Sequence, residues 1–215
     1  MYHLLRVALP DVPGSLGRLA SAIGAAGGNI DAIEIVERTG DGRAVDDVFL
    51  ATDSGVMPDS IVSACNGLLD VDVLWISRYA AASNITRDLE VVEAMTAEPA
   101  MALDRLVDLL PATFIVDWAA RVRRAGAGAE LLHRTSAAPR QVPSSLRWPT
   151  RMSSGSRLPL SDEHADLLLA GCPLGDDQLV VVGRRGGPEI LDSEIARLGH
   201  LVSLAESIAR QPGDR

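Results

Sequence analysis

Along the first eighty residues the apolar positions alternate between the period of a strand and the period of a helix. Leu4–Leu9 is a short apolar run closed by Pro10, which has the form of a strand. From Ser15 to Ala26, Leu16, Leu19, Ala20 and Ile23 fall on one helical stripe, and Gly27-Gly28 predicts its end. Asn29–Arg38 then alternates, with Ile33 and Ile35 on one face and Glu34 and Val36 on the other. "TGDGR" predicts a hairpin turn, because its glycines supply the positive φ that such turns need. Ala44–Thr52 is the returning strand, Pro58–Leu69 a second helix carrying Ile61, Val62, Cys65, Leu68 and Leu69, and Val71–Tyr79 a last strand. The order βαββαβ predicts a ferredoxin-like α+β unit, a four-stranded antiparallel sheet with both helices on one face. Its second face is expected to be bare, and covering it predicts a homodimer.

The pattern changes in the second half. "SRYAAASNITRD" reads as small and polar, so a linker is expected at 81–88, separating a unit at 1–80 from one at 89–210, with Thr86 capping the helix that follows. Leu89–Leu110 is helical but interrupted by Pro99, which predicts two short helices or one kinked helix ending before Pro111. Thr113–Val122 alternates through Phe114, Val116, Trp118, Ala120 and Val122 and is expected to be a strand, with Glu130–His133 as its hairpin partner. Thr135–Ser156 has no period and is expected to be a long loop; Arg157–Leu160 and Gln178–Gly183 read as strands. Asp192–Ala209 closes as a helix with Ile195, Leu198, Leu201, Val202, Leu204, Ala205 and Ile208 on its apolar face.

Composition narrows the function. The chain has 215 residues, enough for two domains, and only 3% aromatics, so its cores rest on aliphatic side chains. A net charge of −9 argues against general affinity for nucleic acid or anionic membrane. Arg121–Arg157 runs against that balance with eight arginines and one acid, Glu130. It reads either as an anion-binding or docking patch, or as a solvated loop. Two isolated cysteines, Cys65 and Cys172, suit a reducing cytoplasm, and Arg6 within the first apolar stretch speaks against a signal peptide or membrane span.

The glycine-bracketed segment "PDVPGSLGRLASAIGAAGGNID" carries the most specific chemistry. Pro13 suits the first positions of a helix, and Gly14 lets the backbone approach a ligand closely. The free N–H groups of a helix start attract a carboxylate. Asn29 offers both a donor and an acceptor for the other end of such a ligand. The same residues also suit plain turns, with Asp11 capping the helix and Asn29 in left-handed geometry after the glycine pair. No phosphate-loop spacing occurs, and there is no lysine to reach a phosphate.

With Asp11, Pro13, Gly14 and Leu16 followed by Gly27, Gly28, Asn29 and Ile30, residues 3 to 80 resemble the ACT domains, regulatory modules that bind amino acids. The resemblance implies a ligand site at Asp11, Val12, Pro13, Gly14, Ser15, Leu16, Asn29 and Ile30, and needs no cofactor. "ATFIVDWAARVRR", "LVVVGRRGG" and "LDSEIARLGHLVSLAESIA" are similar in pattern to a GAF domain, which implies a sensory or dimerising α/β unit with a central antiparallel sheet. Residues that attach a bilin or mark a cyclic-nucleotide site are missing from it. The expected function is a non-enzymatic cytoplasmic sensor of an amino acid; the alternative is a small enzyme with a site in the second half. For the latter, "HADLLLAGCP" places His164 and Asp166 near Cys172, though a cysteine before proline in an apolar stretch is ordinary packing. His3, His133, His164 and His200 have no metal-ligand spacing, and no helix-turn-helix is visible.

Overall fold

A computed structural model describes residues 1–78, 84–126, 128–141, 154–159 and 166–210, without the side chains of 84–86. The chain divides into two compact units, Met1–Ser83 and Asn84–Arg215.

In the first unit, β1 (Tyr2–Pro10), α1 (Ser15–Ala25), β2 (Gly28–Arg38), β3 (Arg43–Thr52), α2 (Pro58–Asn66) and β4 (Asp72–Arg78) follow the predicted order. The sheet runs β2-β3-β1-β4, antiparallel throughout. Alternate strand residues Leu5, Val7, Leu9, Val48 and Leu50 meet Leu19 and Ile23 of α1 and Ile61 and Cys65 of α2. Burying each such aliphatic side chain is worth about 1.5–3 kcal/mol, and that packing holds both helices on one face. α2 stops three residues before its predicted end. The Asn66 side chain accepts the Val73 N–H at 2.9 Å, Asp70 turns the chain with φ +60°, and Leu69 is left 84% exposed.

The other face of this sheet was expected to be bare, and its centre is not. The cross-strand pairs there are Leu4 with Phe49, Arg6 with Asp47, and Ala8 with Val45. Leu4, Arg6, Val45, Asp47 and Phe49 are all buried. Arg6 donates twice to Asp47, Nε to Oδ1 at 2.7 Å and Nη2 to Oδ2 at 2.8 Å, so the two charges enter the interior neutralised.

In the second unit, α3 (Asn84–Ala97) begins inside the span 81–88 expected to be linker, and residues 79–83 lie outside the described set, as does the side chain of Thr86. A 3₁₀ turn at Pro99–Met101 separates α3 from α4 (Ala102–Phe114), giving the two helices expected from Pro99. α4 runs through Pro111 to Phe114, and Ile115, with φ +52°, ends it. The alternation from Thr113 was therefore a splice of two periods: Thr113 and Phe114 belong to the last helical turn, and the strand starts at Trp118. β5 (Trp118–Ala125), β6 (Gly128–Arg134), β7 (Ser156–Leu158), β8 (Leu167–Leu174) and β9 (Gln178–Arg185) form an antiparallel sheet in the order β6-β5-β9-β8-β7. β8 was missed because its apolar run is unbroken, as a strand buried on both faces requires.

α3, α4 and α5 (Asp192–Arg210) cover one face of this sheet, with Met95, Leu106, Leu110, Leu198 and Val202 against Ala119, Ala170, Val180 and Val182. Trp118, Val122, Leu169, Leu179 and Val181 form a smaller cluster on the other face. Buried Arg184 ties the end of α4 to the start of α5. It donates to the Phe114 carbonyl and to Glu194 at 2.8 Å each, while Glu194 also accepts the Leu191 N–H. Both units are therefore α+β with antiparallel sheets. Among the described residues no helix is long and apolar enough to cross a membrane.

Candidate functional site

The segment between β1 and α1 is pinned at its start. The Asp11 N–H donates to the Gly42 carbonyl at 3.0 Å, and the Asp11 carboxylate accepts Nε of Arg38 at 2.9 Å. Asp11 is thus engaged by β2 and is not the cap of α1. The N-cap is Gly14, with φ +90° and ψ −10° and no side-chain hydrogen bond to the helix start. That left-handed conformation strains any residue with a Cβ, and it is why glycine stands here. Apart from its chain neighbours, no atom of the described residues lies within 4 Å of where a Gly14 Cβ would be, so the space above the turn is open.

No side chain caps the first turn of α1, and its positive end carries no acidic residue. Val12 and Leu16 are exposed beside it, at 53% and 37%. Ser15 is buried, and its hydroxyl accepts Nη2 of Arg18 at 3.1 Å. Pro13 and Gly14 are exposed.

Asn29 and Ile30 lie elsewhere. Asn29 is the second residue of β2 and pairs with Ala51, which pairs with Tyr2 on β1. The loop leaves β1 at Pro10, whose partner is Arg43, eight residues from Ala51 along β3. At about 3.3 Å per residue, roughly 25 Å of strand separates the two halves of the expected site. Ile30 packs against the core, and Asn29 is exposed on the face of Ala51, away from the helices. Within one copy, no small ligand spans both.

One residue near the loop half escaped the sequence reading. Asp46 of β3 lies between Val7 and Ile35 in one row across the sheet, on the face that carries Val48 and the helices. It is 1% exposed, and its Oδ1 has no hydrogen-bond partner among the described residues. Burial, reinforced by the negative charge of Asp11 and partly offset by Arg38, pushes its carboxyl up to about 6. The adjacent pair of acids in "RAVDDVFLAT" was the available signal, since consecutive strand residues point to opposite faces.

The second unit has a cavity of about 590 Å³ between β7 and α5, lined by Ser154, Ser156, Arg157, Asp192, His200 and Ser203 among others. Arg157 is held there by Glu189 at 2.9 Å and by Asp192, so its charge is already matched. Other members of the arginine-rich segment are likewise paired within the unit: Arg121 with Asp104 at 2.7 Å, and Arg123 with Asp177 at 3.5 Å. Arg147 and Arg151 lie outside the described residues. Cys172 is buried in β8, and burial pushes its thiol up to about 12, which removes the thiolate that a nucleophile needs. His164 is outside the described residues.

A family model of the ACT domain matches residues 3–59. No curated protein matches the chain. Among solved structures, the GAF domain of a putative sensor histidine kinase from Pseudomonas syringae pv. tomato is similar, at 14% identity and a TM-score of 0.44, covering 57% of this chain and 83% of that one. An unknown protein from Galdieria sulphuraria is similar at 14% identity and a TM-score of 0.28, covering 86% of this chain and 80% of that one. Residues 3–59 of the N-terminal unit thus match the ACT domain, a family of regulatory small-ligand-binding modules.

Proposed function

We propose that the chain is a non-enzymatic sensor that binds an amino acid at its ACT domain and acts as a homodimer in the cytoplasm. The observation that carries the reading is Gly14. A left-handed glycine opens α1 without a side-chain cap, beneath open space, and while the Ser15 N–H donates to the Val12 carbonyl, the Leu16 and Gly17 N–H groups of the first turn are left for a carboxylate. Asp11, Val12, Pro13, Gly14, Ser15 and Leu16 form this half of the site.

Asn29 and Ile30 form the other half, contributed by a second copy. β2 is an edge strand of 11 residues, paired among the described strands with β3 on one side. If two copies pair β2 to β2 in antiparallel fashion, the loop end of one lies beside the Asn29 end of the other. Such pairing removes both edges and brings the two halves to the same end of the joined sheet. The second unit is proposed to be GAF-like and to relay or stabilise the dimer. We assign no nucleic acid, membrane, metal or cofactor to the chain.

A thermal-shift screen of the twenty amino acids, followed by calorimetry on any that raise the melting temperature, tests this reading. Asn29→Ala is expected to weaken binding about ten- to a hundredfold, the loss of one hydrogen bond to a charged group. Light scattering is expected to report a dimer. A monomer at tens of micromolar, or unaltered affinity in both Asn29→Ala and Gly14→Val, would overturn it.

A further inference from the structure

Asp46 is a buried carboxylate with an unpartnered oxygen, on a sheet face otherwise filled with aliphatic side chains. Such a group is costly unless something of opposite charge reaches it. Its neighbour in the row, Ile35, is 40% exposed, and Ile33 on the same face of β2 is 36% exposed. α1 packs against β2, and at its start Val12 and Leu16 are also exposed. Unusually for aliphatic residues near a core, all four face solvent. The charges that act on Asp46 come from Asp11 in the loop, Arg38 on β2 and Asp47 on β3. Arg6 already neutralises Asp47, and the Asp11–Arg38 pair is exposed, at 43% and 63%. Exposed pairs contribute little to stability and separate readily.

We propose that Asp46 receives the ammonium group of an α-amino acid with an apolar side chain, whose carboxylate lies on the α1 start and whose side chain lies on Val12, Leu16, Ile33 and Ile35. The inference rests on the amino-acid reading above and adds the ligand class. Entry parts Arg38 from Asp11, and the ammonium then supplies Asp46 with the hydrogen bonds it lacks. A 2-oxo acid of the same shape has no group for Asp46 and brings only its carboxylate.

The test is calorimetry of the full chain at neutral pH with L-leucine, L-isoleucine, L-valine and 4-methyl-2-oxopentanoate, the oxo acid of leucine. The parent is expected to bind at least one of the three amino acids, and Asp46→Asn to weaken it about ten- to a hundredfold. The oxo acid is expected to bind the parent at least tenfold more weakly than leucine, and Asp46→Asn no more weakly than the parent. Asp53→Asn, an exposed acid outside the site, serves as the control and is expected to bind like the parent. If Asp46→Asn keeps the parent's affinity, or the oxo acid matches leucine, Asp46 is not the ammonium site while the amino-acid reading stands. If only polar amino acids bind, the apolar class is wrong and that reading again stands. If no amino acid binds the parent, both fall.

Discussion

Replacing Asp46 with asparagine is expected to stabilise the unliganded protein at neutral pH. The carboxyl titrates at about 6 in the folded chain against an ordinary value of 3.8, a rise of about two units. At 1.36 kcal/mol per unit, the ionised carboxylate costs the folded state about 3 kcal/mol at pH 7. The sign is opposite to that of a salt-bridged acid. Because the folded state holds this proton more tightly than the unfolded one, stability contributed by Asp46 rises as pH falls from about 6 towards 3.8. An asparagine removes the charge but leaves a buried amide short of partners, at a cost of about 1 kcal/mol. The net gain is about 2 kcal/mol, and each kcal/mol moves the melting temperature of a domain this size by about 4–8 °C.

Thermal melts of parent and variant from about pH 7.5 down to pH 4.5 check both sign and window. His3 also responds to pH: its burial, followed by the N-terminal ammonium and Arg78, holds its imidazole below the usual value, so its contribution falls as pH drops. Both proteins carry His3, and Asp11, Arg38 and Asp47 are unchanged, so the difference between the curves isolates Asp46. A variant less stable than the parent at pH 7.5, or a difference that does not shrink below pH 6, would refute the account.

Breaking the Arg6–Asp47 pair by Arg6→Leu is expected to destabilise the first unit by about 3–5 kcal/mol in urea melts, because it strands a buried carboxylate, and a second change, Asp47→Leu, should recover much of that loss. Cys65 and Cys172 are held up to about 11 and 12 by burial, so the native protein should react with Ellman's reagent only as fast as it unfolds; a rapid native burst would contradict their packing. Gly183→Ala should cost about 1–3 kcal/mol and alter tryptophan fluorescence, since its Cβ would stand 2.2–2.6 Å from the Trp118 ring.

In the first unit α1 and α2 were legible because each is buried on one face only, and one-sided burial writes a clean period, whereas β1 and β3 are buried on both faces and were read from short apolar runs bounded by turn residues. α1 shows it, with Leu19 and Ile23 buried at helical spacing; in β2, Ile33 and Ile35 keep the strand period although both stay exposed. In the second unit β8 is buried on both faces, so Leu167–Leu174 carries no alternation, and the end of α4 ran on into β5 as if one strand. The loop half of the site was legible from Gly14, whose conformation only glycine adopts freely. The distance to Asn29 was not legible, because sequence proximity across a helix says nothing about which end of the sheet the next strand enters. α1 carries the chain back along β1, so β2 starts beside Tyr2, far from Pro10.

Asp46 and Asp47 supply an internal comparison on which the ligand argument finally turns. They are neighbours in one strand, 1% and 3% exposed, and pleating sends them to opposite faces. Asp47 meets Arg6 from β1 with two hydrogen bonds, so its burial is compensated within the fold. At the matching place on the other face, β1 offers Val7 and β2 offers Ile35, neither of which can donate. An asparagine or a valine at 46 would serve the sheet better. The fold therefore gains nothing from this carboxylate at neutral pH, and that uncompensated burial is the ground on which the proposed ammonium ligand rests.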